Sequence, residues 1–138
     1  MTTLDRFKRF CTSDGFRYAL GAPFVQQGYL YATDGRVAVR IATDEPEVVN
    51  PEFRHPRMDS LPWPDLAQSM MHWPSAAKHK GSIDHIMIGN RKIGIKLARK
   101  IRALPGPIRY VSAGHPNDPL QFTAAGKTIE GIIMPMAK

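Results

Sequence analysis

Apolar residues recur at helical spacing in two segments of the chain, residues 2–11 and residues 91–104. In the second segment a short strand is predicted to lead into an amphipathic helix, which stops before Pro105-Gly106. The apolar positions are Leu4, Phe7 and Phe10 or Cys11 in the first segment, and Ile93, Leu97, Ala98, Ile101 and Leu104 in the second. Each helix is therefore predicted to bury one face.

Alternation of apolar and polar residues, with turn residues between the runs, predicts strands in much of the remaining chain. Asp34-Gly35 is predicted to form a two-residue hairpin turn, after which Val37, Val39 and Ile41 face the core. Gly89-Asn90 is predicted to form a second turn. The predicted strands are 16–20, 28–33, 36–42, 83–88, 108–112, 120–124 and 128–134.

Residues 43–82 differ in composition from the rest, since they hold six of the twelve prolines and both tryptophans. We interpret them as a long connection with one short helix near residues 64–72, in which Pro64 takes the first helical position. Two interpretations of this segment stay open. It is either a lid packed on the edge of the core, with Leu66, Met70 and Trp73 on one helix face, or a partner-binding patch. The patch would consist of Trp63, Met70, Met71 and Trp73.

Charge adds a candidate function to the second helix. Lys96, Arg99 and Lys100 lie opposite its apolar face, and Arg102 lies at the margin. The chain has a formal net charge of +7, and no acidic residue occurs between Asp84 and Asp118. An ordinary solvated helix face usually carries both signs of charge, so a face of one sign favours an anionic partner. An ordinary solvated face remains the alternative.

Composition limits the remaining possibilities. A single cysteine excludes an internal disulfide framework and is typical of a reducing compartment. The sequence has no apolar run of transmembrane length and no signal-peptide pattern at its N-terminus. We therefore expect a cytoplasmic protein without a membrane partner.

Catalytic chemistry has little support in the sequence. The five histidines show no metal-ligand spacing, and no glycine-rich loop precedes a helix to hold phosphate. We expect no enzyme activity, no catalytic residue, no bound metal and no cofactor. A hydrolase site built on His115 and Asp118 is the alternative.

The two halves of the chain repeat one order of elements, a basic amphipathic helix followed by three antiparallel strands. Residues 4–11 correspond to residues 95–104, and residues 29–41 correspond to residues 120–134. This repeat predicts an α+β fold with two basic helices packed side by side on antiparallel sheets, in one domain over residues 1–138. The shared basic surface would consist of Arg6, Lys8, Arg9, Lys96, Arg99 and Lys100.

Three segments in this order resemble one domain of a DNA sliding clamp, the processivity factor of bacterial replication (DNA polymerase III beta subunit). Residues 32–36, ATDGR, resemble the clamp's ATDG hairpin turn. Residues 96–106 are similar to its second helix, and residues 132–136, IIMPM, resemble its VMPM ending. The likeness covers nearly the whole chain except residues 43–82. The chain departs from the family at Arg36-Val37, where His then Arg is usual, and at Ala137-Lys138, where Arg-Leu is usual.

The resemblance implies a non-enzymatic role in DNA replication. Clamp domains close into a ring whose helices contact duplex phosphates independently of sequence, so the six basic residues are the expected DNA-binding residues. Because this chain has the length of one such domain, a ring would need either a homo-oligomer of about six copies or another partner chain. Clamps also bind peptides of polymerases and other partners in an apolar cleft. The matching positions here are Thr33, Gly35, Val37, Ile132, Met134 and Met136.

A second hypothesis is a monomeric protein-interaction adaptor that kept the clamp fold without encircling DNA. It would bind a polymerase-like partner, or block a clamp, through the apolar cleft or through the Trp63–Trp73 segment. A third hypothesis, a binder of anionic lipid or RNA, depends on the basic charge alone.

Overall fold

The structure is a computed structural model that describes residues 3–11, 22–47, 56–65, 67–74 and 84–135. The chain forms two compact units, Met1–Pro62 and Trp63–Lys138, which we call the first and the second unit. The boundary falls inside the connection predicted for residues 43–82. The expectation of one domain over residues 1–138 stays a prediction.

In its described residues, the first unit contains one helix and three antiparallel strands in consecutive order. These are α1 (Thr3–Lys8), β1 (Phe24–Gln26), β2 (Tyr29–Thr33) and β3 (Val37–Ala42). Phe7 and Phe10 are buried, as predicted. Leu4 is 45% exposed, so its predicted place in the apolar stripe is wrong. It lies in the first turn of a helix of only six residues, in which Phe7 is buried, while Phe10 lies just after the helix.

The turn between β2 and β3 is a two-residue hairpin turn displaced by one position from the prediction. The N–H of Asp34 donates to the carbonyl of Val37 at 3.3 Å, so the central residues are Gly35 and Arg36. Gly35 has a φ of 91°, and a positive φ at the first central position is typical of a type II′ turn. The Asp34 carboxylate accepts from the N–H groups of Arg36 and Val37 at 2.8 and 3.0 Å, which stabilises the turn.

A side-chain amide attaches residues 56–58 to the first unit. The Nε2 atom of Gln26 donates to the carbonyl of Pro56 at 3.1 Å, and its Oε1 atom accepts from the N–H of Met58 at 2.9 Å. Met58 is 2% exposed. One amide therefore bonds to two backbone groups in the way that a neighbouring strand would.

The described part of the second unit contains four antiparallel strands, a separate hairpin and one helix. The four strands lie in the order β9 (Ile129–Ile133), β8 (Leu120–Ala124), β7 (Arg109–Val111) and β4 (Met70–His72). The hairpin consists of β5 (His85–Ile88) and β6 (Arg91–Gly94), and α2 (Ile95–Arg102) follows β6 directly. The turn at Gly89-Asn90 is confirmed, because Ile88 and Arg91 are directly opposite each other.

One face of the four strands forms the core of the second unit, and we call it the inner face. Register places Tyr110, Phe122 and Gly131 opposite one another on this face. Because side chains alternate along a strand, neighbouring inner positions follow at intervals of two residues. The buried inner residues are Tyr110, Leu120, Phe122, Ala124, Ile129, Gly131 and Ile133.

Mixed structure with mostly antiparallel sheet and two helices, in the residues described, confirms the broad α+β prediction. The helix predicted near residues 64–72 is wrong, because residues 70–72 form β4 and pair with β7. The strand predicted at residues 16–20 lies outside the described residues, and β1 was not predicted.

Replacing Gly131 by Ala is expected to destabilise the protein. A Cβ atom at this position would lie 2.0 Å from the Cζ atom of Phe122, whose side chain is fully buried. The ring has no room to move, so we expect a loss of roughly 1–3 kcal/mol in the free energy of unfolding, measured by urea denaturation. Gly106→Ala is the matched control, since its Cβ would meet no atom within 4 Å. Equal stability of the two variants would contradict this packing.

Candidate nucleic-acid interface

The α2 helix starts where the hairpin ends. Gly94 has an extended conformation, with φ −57° and ψ 135°, and provides no side-chain cap. The N–H of Ile95 instead donates to the carbonyl of Asp84 at 3.0 Å. At the other end, the N–H of Ala103 bonds to the carbonyls of Arg99 and Lys100, and the helix ends before Pro105-Gly106 as predicted.

The apolar side of α2 is fixed to the core by burial and by one buried hydrogen bond. Ile95, Ala98 and Ile101 are at most 6% exposed. The Nε1–H group of Trp73 donates to the carbonyl of Ala98 at 3.3 Å. The Trp73 ring also contacts Phe122, with centroids 5.7 Å apart, so α2 lies on the inner side of the sheet. The opposite side of α2 is therefore held toward solvent.

Lys96, Arg99 and Lys100 are exposed on that outward side, and Arg102 is also exposed. Their spacing agrees with the helical period used to predict them. Arg99, Lys100 and Arg102 lie in the last turn, where positive charge interacts favourably with the helix dipole. Dipole stabilisation accounts for the last turn alone. Lys96 lies in the first turn, where a cation gains nothing from the dipole.

Arg91 does not belong to this basic surface, although it lies in the same basic stretch. It is 2% exposed, and its guanidinium is enclosed by hydrogen bonds. Nη1 donates to Asn90 Oδ1 at 2.7 Å, and Nη2 donates to the carbonyl of Ala113 at 2.9 Å. Longer bonds of 3.4 Å reach the carbonyls of Ser112 and Asp118. Arg91 therefore positions the loop between β7 and β8.

Gly114 allows this loop to approach Arg91 closely. A Cβ atom at Gly114 would lie 2.4 Å from Nη2 of Arg91, and the residue has a φ of 118°. The Gly114 carbonyl accepts from Nδ2 of Asn90 at 2.8 Å. Arg91 and Asn90 together bind four loop carbonyls, so this part of the basic stretch is structural.

The basic residues predicted near the N-terminus lie in the first unit. Lys8 and Arg9 are exposed and Arg6 is half-buried, with Phe7 buried between them. Arg9 follows the last residue of α1, and its N–H bonds to the carbonyl of Arg6. A surface shared by α1 and α2 stays a prediction.

The residues predicted for the partner cleft differ in exposure. Thr33 and Val37 are buried in the first unit, and Gly35 is exposed in the turn. In the second unit Ile132 is 6% exposed, while Met134 is 53% exposed. Met136 lies outside the described residues. Burial of Thr33, Val37 and Ile132 favours a packing role for these three, and a common cleft stays a prediction.

The alternative patch around the two tryptophans is not one exposed surface. Trp73 is 7% exposed and contacts Tyr110 and Phe122, so its role is in the core. Trp63 is half-buried, and its carbonyl accepts from Nε2 of Gln121 at 3.4 Å.

His115 and Asp118 are close together but are not arranged as a catalytic pair. The Asp118 carboxylate accepts from the backbone N–H of His115 at 2.9 Å, and the Nδ1 atom of His115 accepts from the N–H of Asn117 at 3.1 Å. The carboxylate therefore does not orient the imidazole ring. Within the described ranges, no group of three or more His, Cys, Asp and Glu side chains is placed to hold a metal ion.

Comparison with known proteins yields no match to any family model, to any curated protein or to any solved structure. The clamp resemblance of the three short segments therefore stays a hypothesis. Neither helix of the described residues has the length and apolar character needed to span a membrane.

A signal for the structural role of Arg91 was present in the sequence. Arg91 and Ile93 are two residues apart in one strand, so they share a face, and Ile93 belongs to the core. Strand periodicity places Arg91 inside, whereas a count of positive charges places it on the surface.

Replacing Arg91 by Lys is expected to destabilise the protein despite the conserved charge. Lysine lacks the planar fork that reaches several carbonyls at once, so a buried lysine would leave loop carbonyls in residues 112–118 without their donors. We expect a loss of roughly 2–3 kcal/mol in the free energy of unfolding, measured by urea denaturation. The same change at exposed Arg102 is the control and should have an effect within about 0.5 kcal/mol. Similar stability of the Arg91 variant and the wild-type protein would show that the guanidinium contacts are unimportant.

Proposed function

We propose that this chain is a non-enzymatic DNA-associated protein of the sliding-clamp type, which contacts duplex phosphates through its basic helices. The observation that carries the proposal is the outward side of α2. There Lys96, Arg99 and Lys100 are exposed on a helix whose other side is buried. A firmly held row of cations suits the phosphate backbone, which is recognised by charge and position and does not require base reading.

The order of elements in the two units supports the clamp interpretation. In the first unit α1 precedes three antiparallel strands in consecutive order, β1, β2 and β3. In the second unit α2 likewise precedes β7, β8 and β9, which also pair consecutively. On this proposal the two successions are the two copies of the predicted repeat of helix plus three strands. On this proposal Arg6 and Lys8 of α1, with Arg9 directly after it, also contact duplex phosphates.

Phosphate contacts of this kind make binding strongly dependent on salt. Each neutralised phosphate contributes about −0.9 to the slope of log affinity against log salt, so six contacts give roughly −5. One copy should therefore hold duplex weakly at physiological salt. A ring of copies would retain DNA by enclosing it as well as by affinity.

The Lys96→Glu/Lys100→Glu variant tests the DNA-facing helix. We expect its affinity for a random-sequence duplex to fall at least tenfold at low salt, and the salt slope to become less steep by about 2, because two phosphate contacts are lost. Fluorescence anisotropy over a salt series measures both quantities.

The matched control is Arg36→Glu/Lys127→Glu. It reverses two exposed cations that are not in α1 or α2, so it lowers the net charge by the same amount. It should bind nearly as well as the wild-type protein. Equal losses in both double variants would indicate a general charge effect and would contradict a DNA-facing α2.

The second candidate is a monomeric adaptor, and the exposed methionines favour it. Met134, 53% exposed, follows β9 directly, and Met71, 54% exposed, lies in β4. Exposed methionine side chains are adaptable and are common at peptide-binding surfaces. On this hypothesis the protein binds a clamp-partner peptide and does not encircle DNA.

Mass in solution separates the two candidates. A closed ring requires a stable homo-oligomer of about six copies, whereas the adaptor is a monomer. Light scattering coupled to size-exclusion chromatography should give one oligomeric species if the ring hypothesis is correct. A strict monomer over a wide range of protein concentration, with and without duplex, would favour the adaptor.

A further inference from the structure

The face of the second-unit strands opposite the inner face carries a row of polar side chains, which we call the outer row. Part of this face is covered, since Thr123 is 1% exposed, whereas His72 at its edge is exposed. Register places His72 on β4 opposite Arg109 on β7, Arg109 opposite Thr123 on β8, and Thr123 opposite Glu130 on β9. These residues alternate with the inner-face residues Tyr110 and Phe122, so the outer row lies on the side of the sheet away from α2.

His72 and Arg109 are the closest kind of cross-strand pair. The N–H of Trp73 donates to the carbonyl of Ile108 at 2.9 Å, so Trp73 and Ile108 are the hydrogen-bonded pair. In an antiparallel ladder the next pair is then not hydrogen-bonded, and its Cα atoms lie about 4.5 Å apart. His72 and Arg109 therefore project their side chains side by side from the sheet.

One nitrogen atom of the Arg109 guanidinium lacks an acceptor in the described part of the chain. Its Nε atom is buried and has no hydrogen-bond partner among the described residues. The residue as a whole is half-buried, and His72 beside it is exposed. A small rotation of the Arg109 side chain toward a bound oxyanion would give this N–H group an acceptor.

Among the described residues, few other charged side chains share this face with the pair. Glu130 is the remaining charged residue of the outer row, and two strand spacings of about 4.8 Å place its backbone roughly 10 Å from Arg109. The neighbouring positions on the same face are Met70, Val111, Gln121 and Ile132, which do not titrate. Before β4, the Asp65 carboxylate accepts from the N–H of Ala67. A protonated His72 would thus face the positive charge of Arg109 without a carboxylate between them.

We propose that His72 and Arg109 form a binding site for a small oxyanion of the phosphate class, and that protonation of His72 strengthens binding. Like charges directly opposite each other in a sheet repel. A dianion bound between the two cations would attract both of them and offset this repulsion. Arginine binds such groups with two parallel N–H donors, and histidine adds a third donor when it is charged. The site is separate from α2 and does not depend on DNA binding.

Sulfate is the probe that tests this site, because its charge stays constant over the pH range in which histidine titrates. Sulfate is titrated at constant ionic strength, and the ring proton signals of His72 are followed by NMR. We expect saturable binding that is at least about fivefold tighter near pH 5.5 than near pH 8, because a protonated histidine adds a charged donor to the site. Wild-type affinity that is equal at both pH values would overturn the proposal.

Two substitutions assign the contacts. Arg109→Gln should lower sulfate affinity at least about tenfold, and His72→Gln should remove the dependence on pH. If Arg109→Gln does not fold, Arg109→Lys keeps the charge without the fork and should still bind at least about threefold more weakly than wild type. Wild-type affinity in a folded Arg109 variant would refute the site.

Two controls separate this site from other surfaces. His85→Gln alters another histidine, one that bonds to Asp84, and should keep the affinity and pH dependence of sulfate binding. Lys96→Glu/Lys100→Glu should also keep sulfate binding, and Arg109→Gln should keep wild-type affinity for duplex. Loss of sulfate binding in the Lys96→Glu/Lys100→Glu variant would contradict a separate site. Loss of duplex binding in that variant, with sulfate binding kept, would show that DNA and sulfate bind at different places.

Discussion

The indole of Trp73 joins the helix and the sheet of the second unit, and the rest of that unit depends on this contact. Its ring lies 5.7 Å from that of Phe122 and 6.2 Å from that of Tyr110, while its N–H bonds to the Ala98 carbonyl of α2. Its own backbone N–H bonds to Ile108 beside β7. Trp73 thus fixes the distance of α2 from the sheet and continues the pairing of β4 with β7. The basic side of α2 and the position of His72 in the outer row both depend on these contacts.

Local pattern was sufficient to predict most of the regular structure. Strands β5, β8 and β9, the turn at Gly89-Asn90 and α2 all have strong periodicity and clear end signals, and they lie where the sequence placed them. The prediction of a helix near residues 64–72 failed because the helical spacing of Leu66, Met70 and Trp73 is a stronger local signal than the short strand at residues 70–72. Only pairing with β7, which is distant in sequence, decides between the two. A strand of three residues is too short for its alternation of side chains to predict it from sequence.

The candidate site was predictable in part for the same reason. Helical periodicity was enough to place Lys96, Arg99 and Lys100 on the outward side of α2. Counting charges failed for Arg91, because burial depends on the face of the strand and not on residue type. The pairing of His72 with Arg109 depends on the register between two strands almost forty positions apart, which no local pattern contains.

Most loops encode their conformation in their own residues, but the loop at residues 112–118 has a large part of its conformation encoded elsewhere. The donors that hold its carbonyls belong to Asn90 and Arg91, which precede the loop by more than twenty residues. Because backbone carbonyls are common to all residues, the side chains at several loop positions can vary while the path of the backbone stays the same. A transplant of this loop into another protein would therefore have to include the arginine that shapes it.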